Sequence, residues 1–384
     1  MHIQVSDPYS CCGCTACYNI CPKGAITMES DSLGFRYPFV NGENCIECGL
    51  CLKVCEFHSD YKRQDMKDLP LVYGCRNPSE KELAKSQSGG LAYEIGKIII
   101  ESGGIVYGVV MDSPYNATHS RCTSVDELDK TRYSKYIQSE VGNIFKDVQD
   151  DLKKGFKVLF VGTPCQVAGL KSFVSNGLHA NLITIDIVCH AVPAPELWRG
   201  YCKEMEKKYG KIKKVVFRNK EKGWHSCFET FYFESKERPI TKRTYWYLAF
   251  KHLIVRKCCS RCPYTNIHRV GDLTCGDFWG WENSHKEWND NKGVSLAIIN
   301  SEKGIELFNK THFLKIESTI EECIQPQLDH PVLLSSSYDA LVKDYQERGF
   351  SYIAKKYADW GWKIKIYNAV QLFLHYTLLG KLIH

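Results

Sequence analysis

The chain has 384 residues, 44% of them hydrophobic, with 50 Lys and Arg against 44 Asp and Glu, a net charge of +6. That length suits two or three domains with a core of ordinary size. So small a positive excess, without a long basic run or an aromatic–basic repeat, argues against nucleic acid as a partner. The basic clusters at 203–214 and 242–243 read as solvated faces or as a docking patch for an acidic carrier protein.

Twenty cysteines is a high count. Residues 1–11 show no basic stretch followed by an apolar one, so no signal peptide is read and a cytoplasmic location is expected. A disulfide framework is then not expected, and cysteines grouped at short spacings point to metal. No apolar run makes a convincing transmembrane helix. Residues 366–383 come nearest, but Asn368, Gln371, His375 and Lys381 interrupt them. They read as a packed amphipathic helix, with a helix lying on a membrane surface as the alternative.

In chain order, residues 1–60 carry nine of the cysteines, and a polar connector follows at 59–70. From 71 onward helical and strand patterns alternate. A helix is predicted over 89–101, stopped by Gly103-Gly104, and then a strand over 105–111. A helix over 141–154 ends at Gly155 as a C-cap would. A buried strand over 157–161 leads into Gly162-Thr163-Pro164-Cys165, which opens another helix. Residues 182–188 form an apolar strand ending at Cys189-His190, and Pro193 and Pro195 lead into a helix over 196–209. Residues 215–217 and 228–233 read as a strand pair, 296–299 as a strand, and the last 45 or so residues as helical. The expected fold is an α+β ferredoxin-like domain (1–60), an α/β domain (71–330) and a helical C-terminal segment (331–384).

Cys11, Cys14, Cys17 and Cys21 have the spacing C-x2-C-x2-C-x3-C, with Pro22 after them. Cys45, Cys48, Cys51 and Cys55 repeat it. Three thiolates on a tight loop wrap one cubane cluster while the fourth reaches the other. The expected ligand sets are therefore Cys11, Cys14, Cys17 and Cys55 on one 4Fe-4S cluster, and Cys21, Cys45, Cys48 and Cys51 on a second. Gly13 and Gly49 let backbone approach the sulfides. Zinc is the bland alternative, but its sites usually show two separated C-x2-C pairs. Glu56 stands where the second run would carry proline, and Cys12 is an off-register thiol with no assigned role.

Further along are Ser86-Gln87-Ser88-Gly89-Gly90, Gly162-Thr163-Pro164-Cys165-Gln166, Cys189-His190, Phe217-Arg218-Asn219-Lys220 with Gly223-Trp224, Cys259-x2-Cys262-Pro263-Tyr264 and Gly276-Asp277-Phe278-Trp279-Gly280. In this order, over about 71–330, they resemble the coenzyme F-420 hydrogenase/dehydrogenase beta-subunit family, some of whose members carry a fused double-cluster module in front. The resemblance implies an iron–sulfur flavoprotein that passes electrons between clusters, an FAD and a soluble two-electron carrier. That carrier is a deazaflavin in archaea. Some bacterial relatives are associated with making surface polysaccharides.

Read from the residues, Ser88, Gly89 and Gly90 precede an apolar helix, and Gly162 and Thr163 join a strand to another helix. Both junctions suit a pyrophosphate, or serve only as caps and turns. Lys220 and Asp277 are the polar candidates beside a flavin ring and ribose. Cys165, Cys189, Cys259 and Cys262 form a possible third 4Fe-4S ligand set, because parallel strands end on one edge of a sheet. A redox-active Cys165 at a helix start is the alternative. Cys258 competes with Cys259 but lacks the C-x2-C spacing. His190, His225, Trp279 and Trp281 are as well read as packing residues, and no residue is assigned proton transfer.

The expected function is a flavin-dependent oxidoreductase. It would take electrons from a ferredoxin-type carrier and serve a small-molecule substrate, a deazaflavin or a sugar-pathway intermediate. The rival is an electron-transfer subunit that docks on a catalytic partner and has no substrate of its own.

Overall fold

A computed structural model describes residues 1–59, 61 and 70–362. The predicted amphipathic helix over 366–383 lies outside the described residues.

The first 59 residues are built around a hairpin of β1 (Ile26–Ser30) and β2 (Arg36–Val40), paired antiparallel, with Ile26 opposite Val40. Asp31 sets its turn, accepting the backbone N–H of Leu33 and of Phe35, each at 2.9 Å. Each cysteine run bends into a short helix, α1 (Ala16–Ile20) and α2 (Leu50–Lys53). Gly49 caps the second at φ +72°, a left-handed conformation that costs glycine nothing.

The larger part holds an eight-stranded sheet in the order β13-β3-β12-β11-β7-β6-β4-β5. Its strands are β3 (Leu71–Arg76), β4 (Ile105–Ser113), β5 (Asn116–Cys122), β6 (Val158–Gly162) and β7 (Leu182–Ile187), with β11 (Leu273–Asp277), β12 (Ser295–Ile299) and β13 (Leu314–Ser318). A second, antiparallel sheet has the order β10-β9-β8, formed by β8 (Ile212–Val216), β9 (Glu229–Phe233) and β10 (Ile240–Lys242). In the large sheet β4, β6, β7 and β11 run parallel, and β3 shares their direction because both β3 and β11 are antiparallel to β12. The sheet is therefore mixed, but five strands end on one edge, where Arg76, Gly162, Ile187 and Asp277 lie.

Helices α3 (Leu91–Glu101), α4 (Ile144–Lys153), α5 (Pro164–Phe173) and α6 (Pro195–Tyr209) connect these strands. These four predicted helices are present, begun within about three residues of expectation, and Gly155 follows α4 at φ +88° as read. Seven strands escaped the sequence reading: β1, β2, β3, β5, β10, β11 and β13. Most span five residues or fewer, and β5 and β13 are edge strands of mixed polarity, where alternation is weak.

The three expected divisions share hydrophobic cores. Leu33 and Phe35 of the hairpin pack with Trp198, Tyr201, Phe231 and Tyr245, while Ala16 and Val54 join the core around Phe145, Phe160 and Val167. Burying Phe35 alone contributes on the order of 2 kcal/mol. A module of some 60 residues has little interior of its own, so it borrows one. The final described helix, Tyr338–Tyr357, breaks at Gly349 (φ +73°) and packs Phe350 against Tyr201 of α6, with ring centroids 5.0 Å apart. It belongs to that same core.

Candidate functional site

The thiols of the first 59 residues divide into two sets. Cys17 is pushed up by burial and then by Cys14, Cys11 and Cys55; Cys55 is pushed up to about 12 by burial and by Cys14 and Cys11. These four form one group, and Cys21 is absent from it. Cys21 instead lines a small pocket with Cys45, Cys48 and Cys51. The crossing of the two runs is thus the arrangement the chain adopts. Backbone N–H groups already point at the sulfurs. Ile3 N donates to Cys51 Sγ at 3.2 Å and Ala25 N to Cys21 Sγ at 3.3 Å; Gly13, Tyr18 and Phe57 serve Cys11, Cys17 and Cys55. Preset N–H···S donors around four converging thiols fit a cluster, whose charge they stabilise.

A third group forms where the large sheet ends. Cys189 is pushed up by burial and then by Cys259, Cys165 and Cys262; Cys262 rises to about 12 by burial and by Cys165 and Cys259. Cys165 is the second residue of α5, after the cap Thr163, whose Oγ1 lies 3.2 Å from Cys165 Sγ. A hydrogen bond from Cys258 holds the Cys259 thiol below its ordinary value, so the neighbour supports Cys259. A buried pair braces this corner. Arg269 and Asp186 meet at 3.1 Å, and Asp186 accepts the N–H groups of Val270 and Gly271, which fixes the chain leaving Cys262.

Two residues join the first group to the third. The ligand atoms of Cys12, Glu56 and Cys165 lie within 4.8 Å of one another. Cys12 hydrogen-bonds with both Cys14 and Cys165, and Glu56 bonds to Tyr264. Neither received a role from the sequence. The available signals were the departure from proline at 56 and the off-register thiol at 12.

The two phosphate cradles are not open. Ser88 Oγ donates to Val294 O at 2.6 Å, and Gly89 N donates to Ser295 Oγ at 2.8 Å. A Cβ on Gly89 would sit 2.0 Å from Cys75 O, so the glycine is there to let β3 approach. Ser86 Oγ fills the space beside Gly90. At the other junction Thr163 N and Oγ1 both donate to Gln166 Oε1, and Cys165 is the second residue of α5. Ser88, Gly89 and Thr163 thus have their donors taken up by protein acceptors, as turn and cap residues do.

Lys220 and Asp277 do come to the same edge, but each has protein partners. Lys220 Nζ donates to Leu83 O and Ser88 O, and burial lowers it to about 8. Asp277 pairs with Arg218 at 2.5 Å. Near them is an aromatic wall. The His190 ring lies 4.9 Å from Trp279 and 5.7 Å from Phe250, and Phe250 stacks on Trp246 at 4.6 Å. Burial holds His190 down at about 4, so it is neutral at pH 7. Ile187 ends a central strand yet is 37% exposed, and Trp279 is 36% exposed, so the edge opens here. Both amide atoms of Gln87 and the Nε1 of Trp246 are buried without a partner among the described residues. Aromatic faces with orphaned polar groups fit a planar ring system; the closed cradles do not fit its phosphates.

Comparison with known proteins decides the relationship. Residues 155–321 match the C-terminal region of the coenzyme F420 hydrogenase/dehydrogenase beta subunit, and residues 10–59 match the 4Fe-4S dicluster domain. The beta-subunit match covers somewhat less than half of the chain.

One subunit of the F(420)H(2) dehydrogenase of Methanosarcina mazei is 22% identical over 188 residues, which are 47% of this chain and 53% of that one. The coenzyme F420-dependent sulfite reductase of Methanocaldococcus jannaschii is 27% identical over 180 residues, 46% of this chain and 27% of the reductase. An uncharacterized ferredoxin of M. jannaschii is 35% identical over 51 residues, 13% of this chain and 65% of the ferredoxin. The chain thus spans about half the length of the first relative and about a quarter of the second. A chain of the F420-reducing [NiFe] hydrogenase complex from Methanosarcina barkeri superposes with a TM-score of 0.47 at 17% identity, covering 75% of this chain and 90% of that one. Residues 10–59 are thus related to iron–sulfur domains, and residues 155–321 to oxidoreductase subunits. No helix among the described residues is long and apolar enough to cross a membrane.

Proposed function

We propose that this protein is a cytoplasmic oxidoreductase. It exchanges electrons with a ferredoxin-type carrier at its N-terminal thiols and serves a small two-electron substrate at the aromatic-lined edge of the large sheet. The substrate is a deazaflavin or an intermediate of a sugar or polysaccharide pathway. One observation carries this reading: Cys165, Cys189, Cys259 and Cys262, up to nearly a hundred residues apart in sequence, converge between the first N-terminal thiol group and that edge. Three four-thiol sets in succession suit three 4Fe-4S clusters, which carry electrons singly. A flavin would convert single electrons into hydride chemistry.

The chain's own part is to position and shield. His190, Trp279, Phe250 and Trp246 offer aromatic faces, Gln87 and the Trp246 N–H offer unpaired polar groups, and Lys220 supplies a nearby cation. Burial and the neighbouring thiols raise Cys189, which is half-buried at the third thiol set.

Protein purified anaerobically and assayed for iron, sulfide and flavin tests this. About twelve irons, with flavin absorbance, are expected. Cys189→Ala should remove about a third of the iron; unchanged iron would favour a lone redox-active Cys165. A second reading has its own support: the protein donors already committed at Ser88, Gly89 and Thr163 leave little for a pyrophosphate. On that reading the chain is an electron-transfer subunit that docks on a catalytic partner protein. Protein that stays free of flavin after reconstitution, with full iron, decides for it.

A further inference from the structure

Arg256 is among the most deeply buried charges in the molecule. Its exposure is 0%. Nε donates to Cys11 O at 2.8 Å, Nη1 to Gln138 Oε1 at 3.1 Å, and Nη2 to Arg36 O at 2.9 Å and to Cys11 Sγ at 3.6 Å. The guanidinium stacks over Tyr37 at 4.3 Å and Phe35 at 5.3 Å. Of its four acceptors, only Cys11 Sγ can carry charge.

A guanidinium stays protonated even when buried, and a buried charge without a counter-charge is costly. Oxygen acceptors and aromatic faces soften that cost but do not neutralise it. Four thiolates around a cubane supply a net negative centre, and Cys11 belongs to the set that forms one. Among the described residues, the second set has no buried cation against it. Lys23 lines its cavity but is exposed, so water screens it. Cys48 there is exposed as well.

We propose that Arg256 is the buried counter-ion of the first cluster, and that it holds the midpoint potential of that cluster above that of the second. The proposal rests on the reading that Cys11, Cys14, Cys17 and Cys55 bind a 4Fe-4S cluster. A fixed positive charge, with an N–H···S bond, stabilises the form of the cluster that has gained one electron. The cluster in contact with the large domain then accepts electrons from the outer one. Arg256 also fastens the two cluster loops to each other. Its backbone N–H donates to Val192 O at 2.9 Å, three residues from Cys189, while Cys259 lies three residues further along its own loop.

The test is a redox titration of full-length, anaerobically loaded protein, followed by electron paramagnetic resonance, comparing wild type, Arg256→Lys and Arg256→Gln. Arg256→Gln is expected to keep its iron and sulfide but to lower the reduced-to-oxidised ratio of one cluster at least ten-fold at fixed potential. That is 59 mV for a one-electron couple. The other cluster should not move, and Arg256→Lys should stay nearer to wild type. Fully loaded Arg256→Gln with unshifted potentials overturns the proposal. If that variant loses iron, wild type labelled with 15N-arginine takes its place. Pulsed resonance of the reduced protein should then show a guanidinium nitrogen coupled to one cluster, and the absence of coupling overturns the proposal. A wild type that binds no iron overturns the ligand reading and this proposal together, and its iron content tells that failure from the others.

Discussion

The two cysteine runs are near copies in sequence and opposites in setting. Cys11, Cys14, Cys17 and Cys55 face inward. Cys11 is buried, and Cys14 presses on Gly169 of α5 so closely that a Cβ there would lie 2.9 Å from its sulfur. Of the other set, Cys21 and Cys45 are half-buried, Cys48 is exposed and only Cys51 is buried; Met1 and Ile46, 78% and 57% exposed, line their pocket with Val40, next to the 55% exposed Phe39. Equal spacing therefore does not mean equal function. A thiol set walled by protein and a buried cation suits onward transfer, whereas one beneath exposed apolar side chains suits contact with an external carrier.

The largest expected effect breaks the symmetry directly. Cys14→Ser should lose the inner cluster and leave Arg256 buried without its anion, at a cost of about 3–5 kcal/mol. Cys48→Ser should lose a similar amount of iron with much less effect on melting. Anaerobic thermal melts with iron analysis compare them, and equal losses of stability would erase the distinction.

The next effect concerns acid. His119 stacks on Phe160 at 5.0 Å, and burial lowers it to about 4. Ser139 links it to Gln166, which holds the Thr163 cap ahead of Cys165. The unfolded chain takes up this proton below about pH 6.5 and the folded chain only near 4. The stability this group contributes is present above pH 6.5 and is lost as pH falls toward 4, on the order of 3 kcal/mol in all. His119→Gln should flatten the stability–pH slope across that window, measured by denaturant unfolding, and an unaltered slope would refute the assignment.

A smaller effect is expected at the seam. Gly169→Val would push against Cys14 and Ala16. It should cost about 1–3 kcal/mol and deplete iron from the inner set only. The smallest effect is on the outer face. Ile46→Ser and Phe39→Ser should change stability by less than about 0.5 kcal/mol and keep full iron. They should nonetheless slow reduction by a reduced ferredoxin in stopped-flow absorbance, and unchanged rates would place the carrier's contact elsewhere.

The readings that held rest on local patterns. The repeated C-x2-C-x2-C-x3-C spacing contains its own geometry, so the crossed sets were legible before any coordinate. The glycines at 13, 49 and 155 occur at positive φ because the turns there demand it. The glycine cradles carry two readings for a related reason. Gly89 and Gly90 look alike whether they make room for a phosphate or for a neighbouring strand, and only the position of Cys75 O distinguishes the two. The connections at Cys12, Glu56 and Arg256 had almost no signal, since a lone thiol, carboxylate or arginine is ordinary until something is packed beside it.

By itself the sequence determined the four connecting helices α3 to α6, the apolar strands β4, β6, β7 and β12 and the thiol groups at its N-terminus, because periodicity and close spacing act over a few residues. Only the tertiary structure decided the rest: which thiol set faces inward, that Cys165, Cys189, Cys259 and Cys262 meet, and that a buried guanidinium lies against Cys11. Those outcomes depend on strands being stacked in a particular order and direction, with loops from distant parts of the chain ending on one edge. Contacts of that range are set by the packing of the whole molecule, and no short stretch of residues contains them.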